Sequence, residues 1–106
     1  MDTQQIPENI KLFISRIKSK YNPQKIILFG SYARGQATKY SDIDIDVISD
    51  IFKGTSLYER YSELYSLTND LIDPPIQAFG FTVDETTHPE HIPTLQKALN
   101  EGVTLE

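Results

Sequence analysis

The 106-residue sequence predicts one α/β domain over residues 1–106, a small sheet flanked by helices. Three observations predict it. Stretches with apolar residues at helical spacing alternate with short apolar runs of strand length. Glycine, proline and asparagine punctuate the joints between them. A chain of this length buries about two-thirds of its unfolded surface, enough for one core. The predicted order is helix, strand, helical turn, strand, helix, strand, helix.

The first helix is predicted over 7–20, with Pro7 opening it and Ile10, Phe13, Ile14 and Ile17 along one face. Lys18 and Lys20 suit its C-terminus. Asn22-Pro23 reads as a turn, and Lys25–Phe29 (KIILF) as a buried strand ended by Gly30. Ser31 to Arg34 fits one helical turn closed by Gly35, and Asp42 to Ile48 a second strand. Ser56 with Glu59 forms a capping box. Leu57, Tyr61, Leu64, Thr68 and Leu71 extend that helix until Asp73-Pro74-Pro75 stops it. Tyr58, Tyr61 and Tyr65 are expected to pack along it, with a partner surface as the alternative. Ile76–Phe81 (IQAFGF) reads as the third strand. The last helix is predicted over about 93–101, with Ile92, Leu95 and Leu99 inward and Gly102 as its cap, before a short strand at Val103 to Leu105.

Composition removes several classes. There is no cysteine, so disulfides and thiolate metal sites are excluded. No apolar run approaches a membrane span, and the first residues lack a signal-peptide layout, so the cytoplasm is expected. The net charge of −5 argues against a general nucleic-acid surface.

The stretch "LFGSYARGQATKYSDIDIDVISD" (28–50) carries the chemistry. A strand runs into Gly30 and Ser31, where unpaired backbone N–H groups can bind an anion and glycine lets a phosphate approach. Asp42 and Asp44, two apart on a strand, point to the same face about 6.5–7 Å apart. Two such carboxylates repel unless a cation lies between them, and Mg²⁺ takes one or two carboxylates together with substrate phosphates. Ten residues separate Ser31 from Asp42, enough for the chain to return to the same rim. Arg34, one turn beyond Ser31, reads either as a fork donor that neutralises phosphate charge or as an exposed surface arginine. Asp46 is expected to be solvated or salt-bridged. His88 and His91 straddle Pro89 with no third ligand nearby, so they read as a helix-start turn.

Gly30-Ser31 followed after ten residues by Asp42-Ile43-Asp44 resembles the signature of the DNA polymerase β-like nucleotidyltransferases. The fuller string, GSYARGQATKYSDIDIDV, and the ending EGVTLE are similar to the minimal nucleotidyltransferase (MNT) branch. The resemblance implies a mixed sheet of the polymerase β-like palm type and transfer of a nucleoside monophosphate from an NTP, releasing pyrophosphate. It implies that Gly30, Ser31 and Arg34 bind ATP, and that Asp42 and Asp44 are catalytic and ligate two Mg²⁺ ions. It also implies a partner: MNT proteins pair with HEPN-domain toxins as antitoxins, by adenylylation or by binding. A homo-oligomer that completes an acceptor pocket is the alternative assembly.

The family places a third carboxylate on a later strand. Matching Thr82 and Glu85 to that strand puts the third position at Gln77, which is neutral; Asp73 and Asp84 are the other acidic residues nearby. Three readings follow: an active transferase acting on a partner, a module that binds nucleotide and partner without transfer, or a small-molecule transferase of the aminoglycoside-modifying kind whose acceptor pocket a homodimer supplies.

Overall fold

The computed structural model describes residues 7–105. Residues 1–6 and Glu106, which the expected domain bounds and the EGVTLE ending include, lie outside the described residues.

Helix α1 spans Glu8–Tyr21 and buries Ile10, Phe13, Ile17 and Tyr21, so Pro7 caps the helix rather than opening it. Asn22 ends it in the left-handed region, at φ 44°, which asparagine tolerates better than most residues. Strand β1 (Lys25–Phe29) follows, and β2 (Ile43–Ile48) begins one residue after Asp42. A 3-10 turn at Asp50–Phe52 leads to α2 (Leu57–Ser66), where Ser56 Oγ accepts the Glu59 N–H at 3.1 Å. Strand β3 is Ile76–Phe81. Two short 3-10 turns, Asp84–Thr87 and Pro89–His91, lead into α3 (Pro93–Glu101) and β4 (Val103–Thr104).

The strands form one mixed sheet in the order β3-β2-β1-β4. β1 pairs antiparallel with β2 and β4, while β2 pairs parallel with β3. One sheet face carries Ile26, Leu28, Ile43, Ile45, Val47, Ile76 and Ala78, buried with α1, Phe52 and Leu64. The other face carries Ile27, Phe29, Ile48 and Phe81, buried with Leu95 and Ala98 of α3. The result is a helix–sheet–helix stack.

Two expectations for α2 need correction. Helix α2 stops at Ser66, short of the prolines, because Arg16 Nη1 takes the Leu67 carbonyl at 2.8 Å and the Leu71 N–H turns to Thr68 O. The buried positions of α2 are Arg60 and Leu64, whereas Leu57, Tyr58, Tyr61 and Tyr65 stay exposed. Gly102 caps α3 as expected, its N–H donating to Ala98 O at 2.8 Å, and does so in extended backbone at φ −77°. Glycine is needed there because a Cβ would overlap the Ala98 carbonyl and Ile27 Cγ2.

Candidate functional site

The turn after β1 is built by two glycines. Gly30 adopts φ 77° and Gly35 φ 70°. The Gly35 N–H donates to Tyr32 O at 3.4 Å and the Gln36 N–H to Ser31 O at 2.9 Å. That pair of bonds, with glycine in the left-handed region, is how a helical turn is closed without strain. The N–H groups of Ser31, Tyr32 and Ala33 have no acceptor among the described residues, so the start of this turn presents free donors.

β2 brings the aspartates to the same rim. Phe29 pairs with Asp44 across the β1–β2 ladder, so Gly30 follows immediately beside the Asp44 carboxylate. A Cβ at position 30 would overlap Asp44 Oδ2 and lie 3.3 Å from its Cγ. The bare Cα of Gly30 therefore lets the carboxylate lie against the turn. Asp42, one residue before β2, is part-exposed. Burial first, and then the nearby Asp42 charge, raise the Asp44 pKa, against the opposing pull of Lys97 and Arg34.

Gln77 lies directly across from Asp44 on β3, on the same sheet face, and is exposed. Asp73 precedes β3 and Asp84 follows it, and neither shares that register. Asp46 departs from the expectation of a solvated or salt-bridged residue. It pairs with Ile27 and Phe79 on the face covered by α3, is 0% exposed, and neither carboxylate oxygen has a hydrogen-bond partner. Burial, followed by the Asp44 charge, pushes its pKa up to about 8. Lys97, which the sequence reading did not single out, acts on Asp44 from α3. Its signal in the sequence was weak: one lysine on an amphipathic helix, with no motif around it.

His88 and His91 sit on exposed 3-10 turns, where both approach Glu90, at 3.4 and 3.8 Å. Among the described residues, no group of three or more histidine, aspartate or glutamate side chains converges as a metal site. The rim still suits a hard cation. Its donors are carboxylate oxygens, and Asp42 raises the Asp44 pKa through a repulsion that a cation would relieve. Mg²⁺ completes its shell with water and substrate oxygens, so two protein carboxylates are sufficient.

Comparison with known proteins gives the family of the chain and fold neighbours. The nucleotidyltransferase domain model matches residues 10–97. A Methanocaldococcus jannaschii protein described as "Putative protein adenylyltransferase" is 36% identical over 100 residues, covering 93% of this chain and 92% of the relative. A second so described, from the same organism, is 57% identical over 44 residues, covering 40% of this chain and 44% of that relative. Among solved structures, a "putative nucleotidyltransferase" from Sulfolobus solfataricus superposes with a TM-score of 0.62 at 18% identity, covering 92% of this chain and 76% of that one. BolA1 from Arabidopsis thaliana superposes with a TM-score of 0.60 at 16% identity, covering 76% of this chain and 98% of that one. At such identities the likeness is one of fold alone.

Proposed function

This chain belongs to the nucleotidyltransferase domain family, and from that premise we propose that it transfers AMP from magnesium-bound ATP to a hydroxyl of a protein partner. The observation that carries this reading is the Asp44 carboxylate packed against Gly30, with Asp42 beside it and the free N–H groups of the 31–33 turn on the same rim. The relatives described as protein adenylyltransferases support AMP as the group moved and protein as the acceptor class.

Asp42 and Asp44 would hold Mg²⁺. When bound, the metal neutralises triphosphate charge and makes the α-phosphorus more electrophilic. The Ser31, Tyr32 and Ala33 N–H groups would orient the phosphates, and the Arg34 guanidinium would offset their charge. The acceptor oxygen then bonds to the α-phosphorus, the bond to pyrophosphate breaks, and the hydroxyl proton passes to solvent. The MNT resemblance extends the proposal to a HEPN-domain toxin as partner, neutralised by AMP transfer or by binding. An ATP-dependent reaction of this kind suits the cytoplasm.

Gln77 supports a second reading, in which the chain binds nucleotide and partner but transfers poorly. Its register opposite Asp44 is where the family's third carboxylate would stand, and glutamine supplies neither charge nor a base. Incubation with α-labelled ATP, Mg²⁺ and the protein encoded next to this gene tests both. Label on the neighbour is expected from wild type, with Asp44→Asn abolishing it. General base help is worth about 10²–10⁴ in rate, so the second reading predicts faint wild-type label and a large gain from Gln77→Asp. Brisk wild-type transfer that Gln77→Asp does not improve would eliminate that second reading. No label from either protein would contradict the transferase proposal.

A further inference from the structure

Helix α3 lies over the sheet face that carries Asp44, packed through Leu95 and Ala98. Lys97 and Glu101 stand four residues apart on this helix, so they share one side of it. That side borders the turn after Gly30, because Glu101 Oε2 approaches Arg34 Nη1 at 4.0 Å. Both partners of this pair are well exposed, at 41% and 50% of their side chains. The Arg34 Nε also donates to Gln36 Oε1 at 3.2 Å, so the guanidinium is held along the turn. Lys97 is exposed and forms no ion pair among the described residues. Lys97 stands one helical turn from Glu101, the residue that reaches Arg34. Two cations from separate elements thus lie on either side of Glu101 at the edge of the Gly30 turn, in a chain whose net charge is −5.

We propose that Lys97 and Arg34 form a cation pair that receives the triphosphate tail, with Glu101 occupying Arg34 until the nucleotide arrives. This rests on the nucleotidyltransferase reading above. An exposed ion pair is cheap to open, so a triphosphate can displace Glu101 from Arg34. Arginine offers a planar fork of donors and lysine a mobile point charge, so the pair can follow a flexible phosphate chain. The arrangement also gives α3 a role beyond covering the sheet, since it brings one of the two cations to the rim.

Calorimetric titration with ATP and with AMP, each with Mg²⁺, tests this on wild type, Lys97→Met, Lys97→Arg and Glu101→Gln. A hydrogen bond to a charged group is worth enough that Lys97→Met should weaken ATP binding about tenfold or more. AMP affinity should move less than twofold, and Lys97→Arg should restore most of the ATP affinity. Glu101→Gln should tighten ATP binding by about two- to fivefold, the scale of an exposed ion pair. The proposal is overturned if Lys97→Met leaves ATP affinity within twofold of wild type, if it weakens AMP equally, or if Glu101→Gln weakens ATP binding. Wild type that shows no magnesium-dependent ATP binding would overturn the nucleotidyltransferase reading and this inference with it. Intact wild-type binding that is indifferent to Lys97→Met would overturn this inference alone. Should Lys97→Met fail to fold, Lys97→Gln in its place and Glu101→Gln still decide, because both keep the helix's polar edge.

Discussion

Asp46 is an expensive residue for this core to hold. A fully buried carboxylate without a hydrogen-bond partner favours its neutral form, and the Asp44 charge adds to the effect. Its pKa rises from the ordinary 3.8 to about 8. Between those values the folded chain holds a proton that the unfolded chain releases. Stability from this group is therefore greatest below about pH 4 and is lost as pH rises towards about 8, at up to about 1.4 kcal/mol per pH unit. In metal-free buffer with EDTA, Asp46→Asn should flatten the fall in stability between pH 5 and pH 8 relative to wild type. Denaturant melts across that range check it, and parallel curves for the two proteins would contradict the account. Gly30 makes the opposite case, a residue whose absent side chain is essential. Gly30→Ala would place a methyl on Asp44 Oδ2 in a backbone at φ 77°. It should cost about 1–2 kcal/mol of stability from the backbone alone and remove magnesium-dependent ATP binding. Melting curves and calorimetry read the two effects separately.

The elements meet at Arg60, a buried arginine on α2. Its Nη1 contacts Glu85 Oε1 at 2.6 Å and Gly80 O at 3.3 Å, its Nη2 donates to Thr55 O at 2.8 Å, and its Nε donates to Thr55 Oγ1 at 3.1 Å. Glu85 Oε1 also accepts the Thr82 N–H at 2.7 Å. Burial works against the Glu85 charge, but the hydrogen bonds from Arg60 and Thr82 outweigh it and lower its pKa. This clasp ties the start of α2 to the end of β3, the strand that bears Gln77. Breaking a buried pair costs about 3–5 kcal/mol; with Glu85 30% exposed, about 2–3 kcal/mol is expected for Glu85→Gln. A melting midpoint within a degree of wild type would contradict that. The periodic stripe of α2 hid this clasp, because Leu57 and Tyr61 looked like the inward positions while Arg60 took the buried site. The strands were far more legible. KIILF and IQAFGF coincide with β1 and β3 because short apolar runs bounded by turn residues have few other uses. The Gly30, Asp42 and Asp44 neighbourhood was legible because strand alternation and chain return are local rules. Asp46 followed the same alternation, but its burial depends on α3 lying over that face, which no local pattern states. Lys97 was missed for the same reason, since its value comes from where α3 packs.

At the scale of the whole molecule, the sheet holds its apolar residues between helices and leaves its chemistry on one rim. Among the described residues, no helix is long and apolar enough to cross a membrane. The chain carries a net charge of −5, and two of its carboxylates, Asp42 and Asp44, are neighbours at the candidate site. A bare triphosphate should be repelled from such a rim at close range, where Coulomb energies between unit charges reach about 4 kcal/mol at an effective dielectric of 20. Under the proposed function, a divalent metal held by Asp42 and Asp44 would convert that repulsion into a bridge. Calorimetric titration of wild type with ATP, in Mg²⁺ and then in EDTA, with Asp44→Asn in Mg²⁺ beside it, tests this most directly. Wild type should bind saturably in Mg²⁺ and lose at least tenfold in affinity both in EDTA and in Asp44→Asn. Equal ATP affinity for wild type in Mg²⁺ and in EDTA would contradict it.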